Sequence, residues 1–121
     1  SGVLAIGALL MGARRAVGVD VDPLSVKSSK LNAALNGVED TIELYCADGS
    51  NDDLLPPGRG DVDVMVANIL VGPVIGLEPL FASYVRPGGR VCLSGVLVTQ
   101  TPQVMEAYGV HFDALEYQEE N

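Results

Sequence analysis

Residues 16–23 read Ala16-Val17-Gly18-Val19-Asp20-Val21-Asp22-Pro23. A Val-rich apolar run ends on an acid, and a second acid follows two residues later, directly before proline. The run from Ala16 to Asp20 predicts a β-strand, and the valine stripes of this and the later strands, like the leucine stripes, are expected in the core. Asp22-Pro23 predicts a helix start, with Asp as N-cap and Pro at the first helical position, where its missing N–H leaves nothing unsatisfied. Asp22 therefore has a structural task, and the question passes to Asp20.

Working outward, Leu24, Leu31 and Leu35 recur at helical spacing and predict a core stripe, with Lys27, Ser28 and Lys30 on other faces. Asn36-Gly37 ends that helix. Upstream, Gly2 to Met11 is apolar nearly all round and predicts a buried helix, with Gly7 and Ala8 allowing close approach to a sheet and Gly12 as its stop. Downstream, Thr41 to Cys46 alternates and predicts a strand, Ala47-Asp48-Gly49 a turn, and the polar, proline-containing stretch Asn51 to Gly60 a surface loop. Val62 to Ala67 predicts a strand that ends at Asn68. Pro73 to Val85 predicts helix broken by Pro79 into two pieces. Arg86-Pro87-Gly88-Gly89 predicts a turn and Arg90 to Ser94 a strand. Thr101-Pro102 starts a helix to about Tyr108, stopped by Gly109, and His111 to Tyr117 predicts a final strand. Alternation of this kind predicts an α/β fold, a parallel sheet with right-handed crossovers and helices on both faces.

The bulk properties bound the function. A chain of 121 residues holds one domain at most, and 48% hydrophobic content suffices for a core. Seven basic against sixteen acidic residues leave a net charge of −9. That balance argues against a general nucleic-acid binder, which needs a basic face; it is compatible with a basic protein substrate or a small cationic ligand, and solubility alone explains it too. Cys46 and Cys92 lack metal-ligand spacing, lie in apolar runs and predict buried reduced thiols. His111 is the only histidine, so no metal site is expected, and a triad would rest on that residue alone. No apolar run reaches the roughly 20 residues of a membrane helix. The chain begins at Ser1 without a methionine and reads as a piece of a longer protein.

In open parallel sheets, ligands bind beyond the carboxyl ends of the strands. The residues placed there are Asp20, Asp48, Asn68 and Gly95, and three of the four carry groups able to bond a polar ligand. A carboxylate after the second strand can accept both hydroxyls of a ribose, because its two oxygens match a vicinal diol. Asp20 holds that place; capping of the turn is the alternative. Asp48 reads either as a ligand contact or as an Asx turn before Gly49. A nicotinamide dinucleotide and S-adenosylmethionine both offer an adenosine ribose. Gly2 and Gly7 do not match the glycine spacing of the dinucleotide fingerprint.

SGVLAIGALLMGARRAVGVDVDP, LNAALNGV, VANILVGP and VRPGGRVCLSG, in that order, resemble the class I S-adenosylmethionine-dependent methyltransferases. The likeness is strongest to the ribosomal protein L11 methyltransferase family and its organellar protein-lysine relatives. The resemblance implies a Rossmann-like sheet incomplete at both ends, so that residues 1–121 form a partial methyltransferase domain. Ser1-Gly2 resemble the end of the family's D-x-G-x-G-S-G cofactor loop, and the family's first strand and N-terminal recognition domain are not in this sequence. By the same resemblance, Gly2 lies near the cofactor backbone, Asp20 holds the ribose hydroxyls, Asp48 stands near the adenine amino group, and Asn68 adjoins both cofactor and incoming amine. The implied compartment is cytoplasm or organelle matrix, and the implied partner is a basic protein, a ribosomal protein in particular.

The expected chemistry is in-line displacement at a sulfonium methyl, in which the protein mostly positions. The amine must arrive neutral. Asn68 can accept an amine hydrogen and aim the lone pair, whereas an Asp there would favour ammonium. A polar turn residue before the next helix is the alternative for Asn68. Other readings are a nucleic-acid methyltransferase on the same fold, a nicotinamide oxidoreductase and a truncated, non-catalytic remnant. Nucleic-acid enzymes usually carry an aromatic after the Asn to stack a base, and here Ile69, Leu70 and Val71 follow.

Overall fold

The computed structural model describes residues 2–68 and 71–118. It comprises two compact units, residues 1–57 and 58–121. Ser1 of the cofactor-loop resemblance and Ile69-Leu70 of the VANILVGP stretch lie outside the described residues.

The first unit runs α1 (Val3–Leu10), β1 (Ala16–Asp20), α2 (Pro23–Leu35) and β2 (Ile42–Cys46), followed by a short 3-10 turn at Asp52–Leu54. β1 and β2 pair in parallel, from Ala16↔Ile42 to Asp20↔Cys46, with α2 as the crossover. α2 starts as its sequence dictates. Asp22 takes an extended backbone, its side chain accepts the Leu24 N–H, and Pro23 opens the helix.

α2 does not bury its leucines. Leu24, Leu31 and Leu35 are exposed, and Val26, Ser29 and Ala33 form the buried face. Small side chains let the helix lie close, and Ser29 satisfies its hydroxyl by donating to the Ser25 carbonyl at 2.8 Å. α1 is likewise not a buried helix: only Ile6 is buried, and Val3, Leu4 and Leu10 are exposed. A two-stranded sheet covers only one stripe of a helix. A Cβ on Gly7 would meet nothing within 4 Å, so the close approach expected there is absent.

The second unit runs β3 (Val62–Asn68), α3 (Val71–Gly76), α4 (Glu78–Tyr84), β4 (Val85–Ser94), a 3-10 turn at Val98–Gln100 and α5 (Thr101–Tyr108). The break expected near Pro79 falls at Leu77, between α3 and α4. β3 and β4 pair in parallel. The turn predicted at Arg86 to Gly89 lies within β4 as an irregularity, where the register steps from Val62↔Val85 to Val64↔Arg90. Gly88 there has φ +81. Val74, Val104 and Tyr108 form the buried core, with Ile75, Phe81, Val91, Leu93, Phe112 and Leu115 packed around them.

Three further expectations are corrected here. Val17, Val19, Val64 and Val66 are exposed rather than core. Strand side chains alternate between faces: in β1 Ala16, Gly18 and Asp20 take the more covered face, and in β3 the more covered residues are Val62, Met65 and Ala67. Cys46 and Cys92 are exposed free thiols. Cys92 alternates outward between the partly buried Val91 and Leu93, and Cys46 is the last residue of β2. The strand predicted over His111 to Tyr117 does not form. Ala114 has φ 53, which interrupts an extended run, and Phe112 instead stacks on Tyr108 at 5.8 Å between ring centroids.

Candidate functional site

In the first unit, the carboxyl edge of the parallel pair carries the two acids singled out from the sequence. Asp20 ends β1, opposite Cys46, and Asp48 follows two residues after Cys46. Asp20 Oδ1 accepts the Asp22 N–H at 3.0 Å, which fixes the turn into α2. A carboxylate has about four lone-pair sites, so this bond leaves acceptor capacity for a diol.

Gly2 lies in the left-handed region, at φ +72, as N-cap of α1. A Cβ there would approach Ser29 Cβ and Oγ to 3.0 Å, so backbone conformation and space both favour glycine. Gly2, Gly18, Asp20, Ser29, Leu44 and Tyr45 are among the residues lining one cavity of about 80 Å³. Gly2 and Asp20 are thus brought onto one cavity. A cavity of that size takes a fragment of a nucleoside and not the whole. Gly18, Ser29 and Tyr45 were not singled out from the sequence. The one signal was Gly18 inside a Val-rich strand, where a glycine marks close approach of another group: its Cβ would meet Leu44 Cδ2 at 2.8 Å.

Asp48 does not line this cavity. It makes the Asx turn that was its alternative reading: Oδ1 accepts the Ser50 hydroxyl at 2.6 Å and the Ser50 N–H at 2.8 Å. The Ser50 hydroxyl, then its N–H, hold the Asp48 carboxyl below its ordinary value.

In the second unit, Asn68 ends β3 opposite Ser94 of β4 and is exposed. Gly95 follows at φ +78, and a Cβ on it would stand 2.5 Å from Asn68 Oδ1. His111 Nδ1 lies 2.8 and 3.0 Å from the two carboxylate oxygens of buried Glu78. An ionised carboxylate only accepts, so Nδ1 carries the hydrogen. This pair anchors the chain after α5. Among the described residues, no group of three or more His, Cys, Asp or Glu could hold a metal ion, and no helix is long and apolar enough to cross a membrane.

The model of one family, described as ribosomal protein L11 methyltransferase (PrmA), matches residues 1–121. A ribosomal protein L11 methyltransferase of Pseudomonas paraeruginosa is 50% identical over 115 residues, covering 93% of this chain and 36% of that protein. One of Shewanella halifaxensis is 45% identical over 113 residues, again covering 93% and 36%. The chain therefore spans little more than a third of the length of these curated relatives. The crystal structure of a ribosomal protein L11 methylase from Lactobacillus delbrueckii subsp. bulgaricus superposes with a TM-score of 0.78 at 33% identity, covering 91% of this chain and 54% of that one. An RNA methyltransferase from Salinibacter ruber, solved with S-adenosyl-L-homocysteine, gives 0.62 at 28% identity, covering 74% and 56%. The fold is thus that of the class I methyltransferases, with its strands in parallel pairs.

Proposed function

Because the chain belongs to the ribosomal protein L11 methyltransferase family, we propose that the protein carrying it transfers methyl groups from S-adenosylmethionine to a ribosomal protein of the L11 type. The acceptors are amino groups, either lysine side chains or the N-terminus. Residues 1–121 are then part of its methyltransferase domain, at work in the cytoplasm or an organelle matrix. The observation that carries this reading is the pairing of Gly2 with Asp20: a side-chain-free backbone and a strand-end carboxylate on one cavity.

These residues suit the cofactor. Gly2 offers bare backbone where a Cβ would crowd Ser29, and Asp20 keeps acceptor capacity toward a ribose diol. Asp48 is assigned to the adenine amino group, with its carboxylate held ionised by Ser50. S-adenosylmethionine, when bound, supplies an electrophilic methyl on a sulfonium. The protein's part is positioning. Asn68 is assigned to the amine: its carboxamide oxygen, or the adjacent backbone carbonyl, accepts one N–H and directs the lone pair. A neutral carboxamide does this without raising the amine's pKa, as a carboxylate would. The released proton goes to water.

The likeness to an RNA methyltransferase supports a second reading, a nucleic-acid substrate. Two features oppose it: a net charge of −9, and Ile69-Leu70-Val71 after Asn68 in place of a stacking aromatic. The test is to incubate the complete protein that carries this sequence with S-adenosylmethionine and either purified L11 or ribosomal RNA. Mass spectrometry of L11 should show methyl groups on its amines, and Asn68→Ala should abolish most of that gain. Methyl transfer to the RNA alone would overturn the assignment.

A further inference from the structure

We propose that Gly95 is a positioning residue for Asn68, and that its missing side chain decides where the Asn68 carboxamide points. The proposal rests on the reading of Asn68 as the residue that meets the incoming amine. β3 and β4 are in parallel register with Asn68 opposite Ser94, so Gly95 is the first residue beyond that pair. At φ +78 its backbone already excludes most side chains. The direction in which a Cβ would point is more telling. It would lie 2.5 Å from Asn68 Oδ1 and 3.7 Å from Asn68 Cγ, and no other atom of the described residues beyond Gly95's own chain neighbours comes within 4 Å. Carbon and oxygen first touch at roughly 3.3 Å, so the carboxamide oxygen occupies the space that any other residue at 95 would fill. Among the described residues beyond those neighbours, nothing else crowds this position. A side chain at 95 therefore acts on Asn68 and on little besides, and the easiest relief is rotation of the carboxamide away from its present direction. Misplacement of a positioning group by about 1 Å can cost on the order of a hundredfold in rate.

The test uses the complete protein that carries this sequence, with Gly95→Ala, Gly60→Ala, Asn68→Ala and the double variant of residues 68 and 95. Gly60 is the matched control, because it shares φ +78 yet a Cβ on it would meet nothing within 4 Å. The expected result is a fall in kcat of about tenfold or more for Gly95→Ala, with KM for S-adenosylmethionine nearly unchanged. Gly60→Ala should lower Tm by a similar amount and keep its kcat. In the Asn68→Ala background, Gly95→Ala should cost no further kcat. If Gly95→Ala does not fold, Gly95→Asn carries the test, since Asn enters the left-handed region more readily and still brings a Cβ. Wild-type kcat in the folded position-95 variant, with Asn68→Ala impaired, overturns the role of Gly95 alone. A full-sized loss that persists in the Asn68→Ala background overturns it too, because Gly95 would then not act through Asn68. Wild-type kcat in Asn68→Ala overturns the reading of Asn68, and this one with it.

Discussion

Asp20 Oδ1 accepts the backbone N–H of Asp22 at 3.0 Å, and Asp22 in turn caps α2 by accepting the Leu24 N–H at 2.9 Å. The two acids of the VDVDP stretch are therefore linked and divided in task. Asp22 is committed to the helix. Asp20 fixes the turn with one oxygen and faces the cavity that Gly2 shares.

That division predicts a crossed pair of phenotypes. Asp20→Asn keeps an oxygen for the turn but loses the charge. Its affinity for S-adenosylhomocysteine should fall on the order of tenfold to a hundredfold, since hydrogen bonds to charged groups contribute about 1.5–3 kcal/mol each. Asp22→Ala should leave that affinity near wild type and lower stability by about 0.5–2 kcal/mol, the range for a lost N-cap. Calorimetry and urea unfolding of both variants separate the two effects. The same loss of affinity in both would refute the division.

Gly2→Ala should destabilise the first unit. Left-handed backbone costs a non-glycine residue about 1–3 kcal/mol, and the new methyl would also press on Ser29 at 3.0 Å. Gly37→Ala is the comparison, because its φ is +70 and a Cβ there would meet nothing within 4 Å. Thermal unfolding should rank Gly2→Ala below Gly37→Ala. Equal shifts would mean that the Ser29 contact is immaterial.

Asp48 should titrate below its ordinary value of 3.8, because Ser50 donates twice to it. A folded-state pKa below the unfolded one contributes stability that is present above the ordinary value. That contribution is lost as pH falls through the folded value. Ser50→Ala removes the larger contribution, so the Asp48 carboxyl should move up toward 3.8, as read by carboxyl-carbon NMR. No movement would show that the hydroxyl does not hold it.

Tyr108 should make the second unit sensitive to alkali. It is buried, its hydroxyl donates to the Val74 carbonyl at 2.7 Å, and burial, with Glu78 adding to it, pushes its pKa from 10.0 up to about 12. The folded-state value is the raised one, so the contribution is complete below pH 10 and is lost as pH rises through about 12. Tyr108→Phe should cost about 1–3 kcal/mol at neutral pH, leaving a buried carbonyl unpartnered, and should flatten that alkaline loss. Circular dichroism across the alkaline range reads both. An unchanged alkaline profile in Tyr108→Phe would assign the loss to another group.

Local chemistry was legible in the sequence, and choices among equivalent faces were not. The Asp22-Pro23 cap and the break near Pro79 follow from signals within a few residues, and the parallel pairing follows from the alternation of helices and strands along the chain. The face that α2 buries did not. Leu24, Leu31 and Leu35 fit helical spacing as well as Val26, Ser29 and Ala33 do, and the small set was selected by the closeness of its neighbours. At the site, Asp20 was legible because strand ends can be read from periodicity. The contact between Gly95 and Asn68 was not, because it depends on the register of two strands far apart in sequence. Asp48 remained two-sided, and the structure forms its Asx turn, which is compatible with either role.

The most direct measurement is calorimetric titration of S-adenosylhomocysteine, and separately of NADH, into the complete protein that carries this sequence. The methyltransferase account predicts stoichiometric binding of S-adenosylhomocysteine that Asp20→Ala abolishes, and no binding of NADH. Binding of NADH without S-adenosylhomocysteine would contradict it, as would S-adenosylhomocysteine binding that Asp20→Ala leaves unchanged.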